Sequence, residues 1–328
     1  MRFIALRIRL ARRTLCVAAL SIVVAVPVFA ADTAAGLYLQ TIEAYPAPRL
    51  QNVKGREYKF LIDPAKIPTR IDDAFEDLWS QISTAARRRR FEITPRSKRP
   101  LQIQTSVNEY FDTADNLLWA KGYIVRVTGR DRQHGSSAAT GITVKRIGND
   151  VTQTLATPLA VTGGAENVKT EAEDNVGFGP GGTLRGYIEK GSSFTAMLDP
   201  TDVLTLGNFG KFVPELLSLG LSADTILIAS KVFSDRIRPG TLTLPRTGAA
   251  TISLQAWRAA PGGTPFLYEV SFGYGDVDFY NVADTHATAE RFMTDVMRDE
   301  LGKLGGPATW KWGGSKVRQL MNRPLPDN

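Results

Sequence analysis

The chain has 328 residues, 43% hydrophobic and 22% charged, a globular balance with enough apolar residues for a sizeable core. Its formal charge of +7 overstates its basicity: Arg2, Arg7, Arg9, Arg12 and Arg13 lie in the first thirty residues, which hold no acid, and the remainder carries +2. Bulk charge thus gives no ground for a nucleic-acid partner or an anionic membrane. Cys16, the single cysteine, belongs to the same stretch, so cysteine catalysis and zinc–cysteine sites are excluded elsewhere.

The positive head runs into the apolar stretch Leu15 to Val26 and then Pro27-Val28-Phe29-Ala30. This pattern predicts a cleaved secretory signal peptide over 1–30, cut after Ala30. The apolar run is short for a bilayer span. A periplasmic or secreted protein is expected, with no stable membrane insertion once the leader is gone. Arg12-Arg13 leaves Sec and twin-arginine export both open. Residues 31–53, with Pro46 and Pro48, read as an extended arm, 54–322 as one domain and 323–328 as a tail.

Arg56 to Ile62 reads as a first strand. Ile71, Phe75, Leu78, Trp79 and Ile82 recur at helical spacing and predict a helix over Ile71 to Arg90. Its closing Arg87 to Arg90 read as solvated cations at the negative end of the helix dipole. Further strands are predicted over Leu101 to Phe111, Tyr123 to Thr128, Gly141 to Ile147, Thr170 to Asp174, Ile226 to Arg238, Ala250 to Ala259 and Pro265 to Tyr274. Tyr123–Thr128 and Gly141–Ile147 form a hairpin with a long polar loop. Helices are predicted over Asp202 to Leu221 and Thr285 to Leu304. Gly177 to Gly182 is a loop without the Gly-Lys-Ser/Thr of a phosphate loop. Many strands and few helices predict an all-β-dominated α+β fold.

Several strands place charged or polar residues at alternate positions between apolar flanks: Glu57 with Lys59, Arg126 with Thr128, Thr143 with Lys145, Glu171 with Glu173, Arg236 with Arg238, Glu269 with Ser271. If the sheet closes, these side chains all face water or all face a polar lumen. Cations and carboxylates on separate strands would suit a metal-bound polyphosphate, because cations neutralise phosphate oxygens and carboxylates hold Mg²⁺ or Mn²⁺. His134 and His286 have no partner for catalysis, and Trp257, Trp310 and Trp312 read as packing residues.

These residues resemble the CYTH domain, the triphosphate tunnel metalloenzyme superfamily. Tyr110-Phe-Asp-Thr followed by Gly122-Tyr-Ile-Val-Arg-Val is similar to its "YYDT…G…LRVR" stretch. Glu57-Tyr-Lys59 resembles the end of its ExExK strand, Thr143-Val-Lys145 its "LTLK", and Glu171-Ala-Glu173 its central ExE. Lys231 to Arg238 resembles its basic strand, Tyr268-Glu269 its late "YELE", and Ser315-Lys316-Val-Arg318 its closing "SKYxR". The resemblance spans Arg56 to Leu320 in family order. It implies a closed antiparallel eight-stranded β-barrel, a tunnel with flanking helices, acting on triphosphate, thiamine triphosphate, ATP or polyphosphate. It further implies Lys59, Arg126, Lys145, Arg236, Arg238 and Lys316 as phosphate ligands and Glu57, Glu171, Glu173 and Glu269 as ligands of Mg²⁺ or Mn²⁺. Glu57 and Lys59 would carry the catalytic work.

The chain departs from the family pattern at Gly55, Thr128, Gln255 and Ser271, where ExExK, "LRVR", "SLD" and the late ExE have two glutamates, an arginine and an acid. Cations are mostly kept and carboxylates lost. Three readings stand open: a metal-dependent phosphohydrolase acting on inorganic triphosphate or a related phosphate, a noncatalytic binder of polyphosphate or an organic phosphate, and a barrel for an apolar ligand. The last needs Val125, Val127, Val144 and Val270 facing inward.

Overall fold

The computed structural model describes residues 40–41, 53, 55–96, 101–129, 138–148, 150–198, 203–275, 283–312 and 316–321. The predicted leader, most of the arm, the tail and His134 lie outside them. Eleven strands are formed: β1 (Gln40–Thr41), β2 (Gly55–Ile62), β3 (Ile93–Pro95), β4 (Gln104–Asp112), β5 (Tyr123–Thr128), β6 (Ala138–Gly148), β7 (Glu166–Phe178), β8 (Leu184–Leu198), β9 (Ile228–Leu244), β10 (Gly248–Arg258) and β11 (Leu267–Gly275).

Nine of them close on themselves in the order β8-β6-β5-β4-β9-β10-β11-β2-β7, with β7 pairing back to β8, while β1 and β3 add to β8 and β9. The fold is therefore sheet-dominated α+β, with a ring of nine strands where eight antiparallel strands were expected. The eight strands read from sequence are all present, and the ninth is β8. A ring with an odd number of strands cannot alternate direction all the way round. The one parallel pairing falls between β2 and β7; the others are antiparallel.

Strand periodicity sends alternate side chains to opposite faces of the ring. On the outer face, α1 (Ile71–Arg88) and a later helix clamp β2, β9, β10 and β11. Asp72 and Asp73 in the first turn of α1 and Arg87 and Arg88 in its last complement its dipole. Arg88 and Arg89 both pair with Glu300, at 2.6 and 2.7 Å. After the short helices α2 (Leu117–Ala120) and α3 (Val151–Ala156), the predicted helix over Asp202 to Leu221 is broken. A Thr205–Asn208 capping box opens α4 (Leu206–Gly210), and a 3₁₀ turn follows over Pro214–Leu219. Pro214 has no N–H for a continuing helix.

This segment covers Val125, Val127, Ile142 and Val144, while Val270 belongs to the cluster under α1. The inward valines required by the apolar-ligand reading are thus packed outward under other elements. The predicted helix over Thr285 to Leu304 is α5 (Ala283–Arg291), widening to a π-helical turn at Phe292–Arg298 and ending in a 3₁₀ turn. Trp310 of α6 (Pro307–Trp312) packs on Phe60 and Phe178. Among the described residues no helix is long and apolar enough to cross a membrane.

Candidate functional site in the ring interior

The inward positions change character along each strand. Leu61, Tyr110, Ile124, Ile147, Tyr187, Val232, Trp257 and Leu267 form an apolar plug at one level of the ring, joined by Val317 and Leu320 of α7 (Lys316–Met321). One pleat further on, the same faces turn polar: Lys59 before Leu61, Arg126 after Ile124, Lys145 before Ile147, Glu189 after Tyr187, Gln255 before Trp257, Glu269 after Leu267. This is why each strand reads as a charge between apolar flanks.

Above the plug lie cavities of about 550, 150, 150 and 330 Å³ that share their walls. Glu57 and Lys316 line the first two, Glu171 and Glu173 the first and third, Lys145 and Glu189 the second and third. Arg126 lines the last three, and Arg236 and Gln255 the first and fourth. Every predicted site residue therefore faces these linked spaces: Glu57, Lys59, Arg126, Lys145, Glu171, Glu173, Arg236, Arg238, Glu269 and Lys316.

Register explains the contacts. Gln255 stands opposite both Glu269 and Arg236, and Arg236 stands opposite Gln104, so four adjacent strands contribute one belt. Lys316 reaches into this belt from α7, donating to Gln255 and to Glu269 at 2.5 Å. Lys59 bonds Asn175 at 2.5 Å and Glu57 at 3.0 Å, and Lys145 bonds Glu189. Glu171 pairs with Lys169 at 2.6 Å.

The arginines behave differently. Arg126 donates to Thr143 at 3.1 Å and keeps a buried Nε without a hydrogen-bond partner. Arg236 and Arg238 share the Gln104 carbonyl oxygen at 3.4 and 3.5 Å. Among the described residues none of the three has a carboxylate partner.

The electrostatics follow this division. Burial works to raise the Glu57 carboxyl, but Lys59, Lys316 and Lys145 outweigh it and bring it to about 2. Burial works to lower Lys59, yet Glu57, Tyr187, Glu189 and Glu269 hold it well above the usual lysine range. Burial opposes a charged Glu189 too, and Lys145 and Lys59 keep it below the ordinary value. Glu173 is raised, by burial and then by Glu189 and Glu57. Glu189 is its direct cross-strand partner. Arg236 is lowered, by burial and by the like charge of Arg238.

The predicted metal ligands face the interior without gathering. Among the described residues no three His, Cys, Asp or Glu side chains come together to hold a metal ion. Glu57, Glu171 and Glu269 are each held by a lysine. A Mg²⁺ or Mn²⁺ centre takes several oxygen ligands at once, and no such set is formed among the described residues. Gly55, at the family's first glutamate position, lies opposite Glu173 and adds no carboxylate.

Sequence reasoning missed Glu189, because β8 was not read as a strand, and missed Asn175 and Gln104. Gly191 was the available signal. A side chain there would meet Lys145 Cγ at 3.3 Å, and glycine inside a strand marks such a close approach.

No protein-family model and no curated protein matches the chain. Solved structures similar to it include one described as a proposed adenylyl cyclase from Hippeastrum that reveals a dominant triphosphatase activity. It is 13% identical over 74% of this chain and 87% of that one, with a TM-score of 0.32. A proposed adenylate cyclase from Bacillus halodurans is 13% identical over 74% and 90%, with a TM-score of 0.33. Neither supplies a residue role to this chain.

Proposed function

We propose that the ring interior is a tunnel that binds a phosphate chain, inorganic or organic, as the metal-free anion. The observation that carries this is the arginine wall: Arg126, Arg236 and Arg238 line connected cavities with no carboxylate partner among the described residues, and Arg126 keeps a buried donor unused. Gathering like charges in a half-buried space is unfavourable until an anion offsets them, and guanidinium groups match phosphate oxygens in geometry. Each charge-assisted bond contributes roughly 1.5–3 kcal/mol, so the three arginines would attract a phosphate chain without a cation bridge. Lys59, Lys145 and Lys316 would add phosphate contacts by exchanging their carboxylate partners for phosphate.

The leader pattern supports an exported protein that meets its ligand outside the cytoplasm.

The test is a calorimetric titration of the purified protein with tripolyphosphate, in EDTA, in Mg²⁺ and in Mn²⁺, with released phosphate assayed in the same samples. Saturable one-site binding in EDTA without phosphate release is expected. Release that depends on Mg²⁺ or Mn²⁺ would replace this reading with a phosphohydrolase. No binding under any condition would end the phosphate reading altogether.

A further inference from the structure

We infer that the interior holds a second subsite, for a hydroxyl-rich organic group such as a sugar or another polyol carried on the phosphate. The ligand class then narrows to phosphate esters of polyols. This rests on the phosphate reading above.

The observation is the wall of the 330 Å³ cavity. Gln104, Thr105, Ser106, Asn108, Thr128 and Ser234 line it and none of the other three cavities. All six are neutral and polar. Its other three residues, Arg126, Arg236 and Gln255, are shared with the cationic spaces, so it opens directly onto the proposed phosphate position.

The chemistry of that wall selects what can sit there. Amides and hydroxyls neutralise no charge, so a phosphate gains more beside the arginines and lysines. Without a carboxylate, the wall offers a hard metal ion only neutral oxygens, a weak ligand set. With no aromatic ring in the wall, a base has nothing to stack on. An alkyl group would strand polar atoms against it. Hydroxyl groups both donate and accept, as this wall does. The volume stands at the small end of ligand pockets, which run roughly 300–1,000 Å³.

The wall is also pre-set. Thr128 donates to Asn108 at 2.8 Å, Asn108 reaches Ser106 at 3.4 Å, and Gln255 donates to Ser234. Gln104 is fixed by Arg236 and Arg238. The Thr105 hydroxyl is committed to Asp235 at 2.7 Å, so it is left out of the recognition set. Gln104 and Ser106 are exposed, which gives the group a way in.

The experiment compares monoesters that differ only in the organic part. Methyl phosphate is titrated against glucose 6-phosphate, ribose 5-phosphate, inositol 1-phosphate and glycerol 3-phosphate, with tripolyphosphate as the control. At least one polyol ester should bind ten times tighter than methyl phosphate, about 1.4 kcal/mol. Ser106→Ala with Thr128→Val should erase that gain and leave tripolyphosphate affinity unchanged. Ser106→Trp, which fills the cavity from its exposed edge, should also erase the gain by exclusion, with tripolyphosphate affinity read beside it because Arg126 and Arg236 share this wall. If tripolyphosphate binds and no polyol ester exceeds methyl phosphate, the subsite is overturned and the phosphate reading survives. If tripolyphosphate also fails to bind, both fall.

Discussion

The two walls of the interior carry similar cations in opposite states. On β2, β6 and β11, lysines meet carboxylates: Lys59 with Glu57, Lys145 with Glu189, and Lys316 of α7 with Glu269. On β5 and β9, the arginines meet amides and hydroxyls and, among the described residues, no carboxylate. An ion pair with little access to water is already neutralised, and a ligand must break it before using it. The arginines need no such exchange. The difference shows where an anion would be held first and where its binding would be adjusted.

The strongest way to break this contrast is to discharge the arginine wall. Arg126→Gln combined with Arg236→Gln should weaken tripolyphosphate binding by about a hundredfold or more, from the loss of two charge-assisted contacts. Calorimetry on the variant reads this directly, while unchanged circular dichroism and melting temperature keep a folding defect apart. A loss below about threefold would move the anion to the lysine wall.

A smaller effect sharpens it from the other side. Glu189→Gln removes the carboxylate holding Lys145 and one of the two like charges beside Glu173. Tripolyphosphate should then bind roughly three- to tenfold tighter, about 1 kcal/mol, because Lys145 no longer has to exchange its carboxylate for phosphate. Weaker binding in this variant would mean that Glu189 positions Lys145 rather than competing for it.

The smallest effect is on stability in acid. Glu57 and Glu189 sit below the ordinary carboxylate value when folded, because the lysines favour their charged forms. Their contribution is therefore present above an unfolded value near 4.5 and is lost as pH falls below it, for Glu57 toward about 2. Glu173 is raised and works in the opposite direction. Thermal melts between pH 5 and pH 2.5 should show a downward limb that Glu57→Gln makes shallower. An unchanged limb would remove Glu57 from the balance.

Much of this interior was legible in the sequence, for a local reason. Alternation within a strand is written in neighbouring residues, so Glu57 with Lys59 and Thr143 with Lys145 announced a shared face without knowledge of any partner strand. What the alternation left open was which way that face points. The structure resolves it through the apolar plug and the outer helices, both built from residues distant in sequence. β8 escaped because Gly186, Gly191 and Ser192-Ser193 dilute its pattern. Gly191 lies against the Lys145 side chain, Ser192 bonds Leu159 and Thr170, and Ser193 bonds Thr143. The metal expectation gains no site among the described residues for a related reason: a sequence shows which strands carry carboxylates, and the fold shows which cations stand beside them, Lys316 beside Glu269 for one.

Ring closure has a consequence for timing. β2 opens the ring and pairs with β11, which completes it, and Lys316 arrives later still on α7. A ring whose first and last strands in sequence are partners has no enclosed interior until both have been made. Contacts so far apart in sequence also form slowly. No chain that stops short of β11 can hold a ligand inside, and one that ends before it would present the arginines to solvent on an open, unclosed edge.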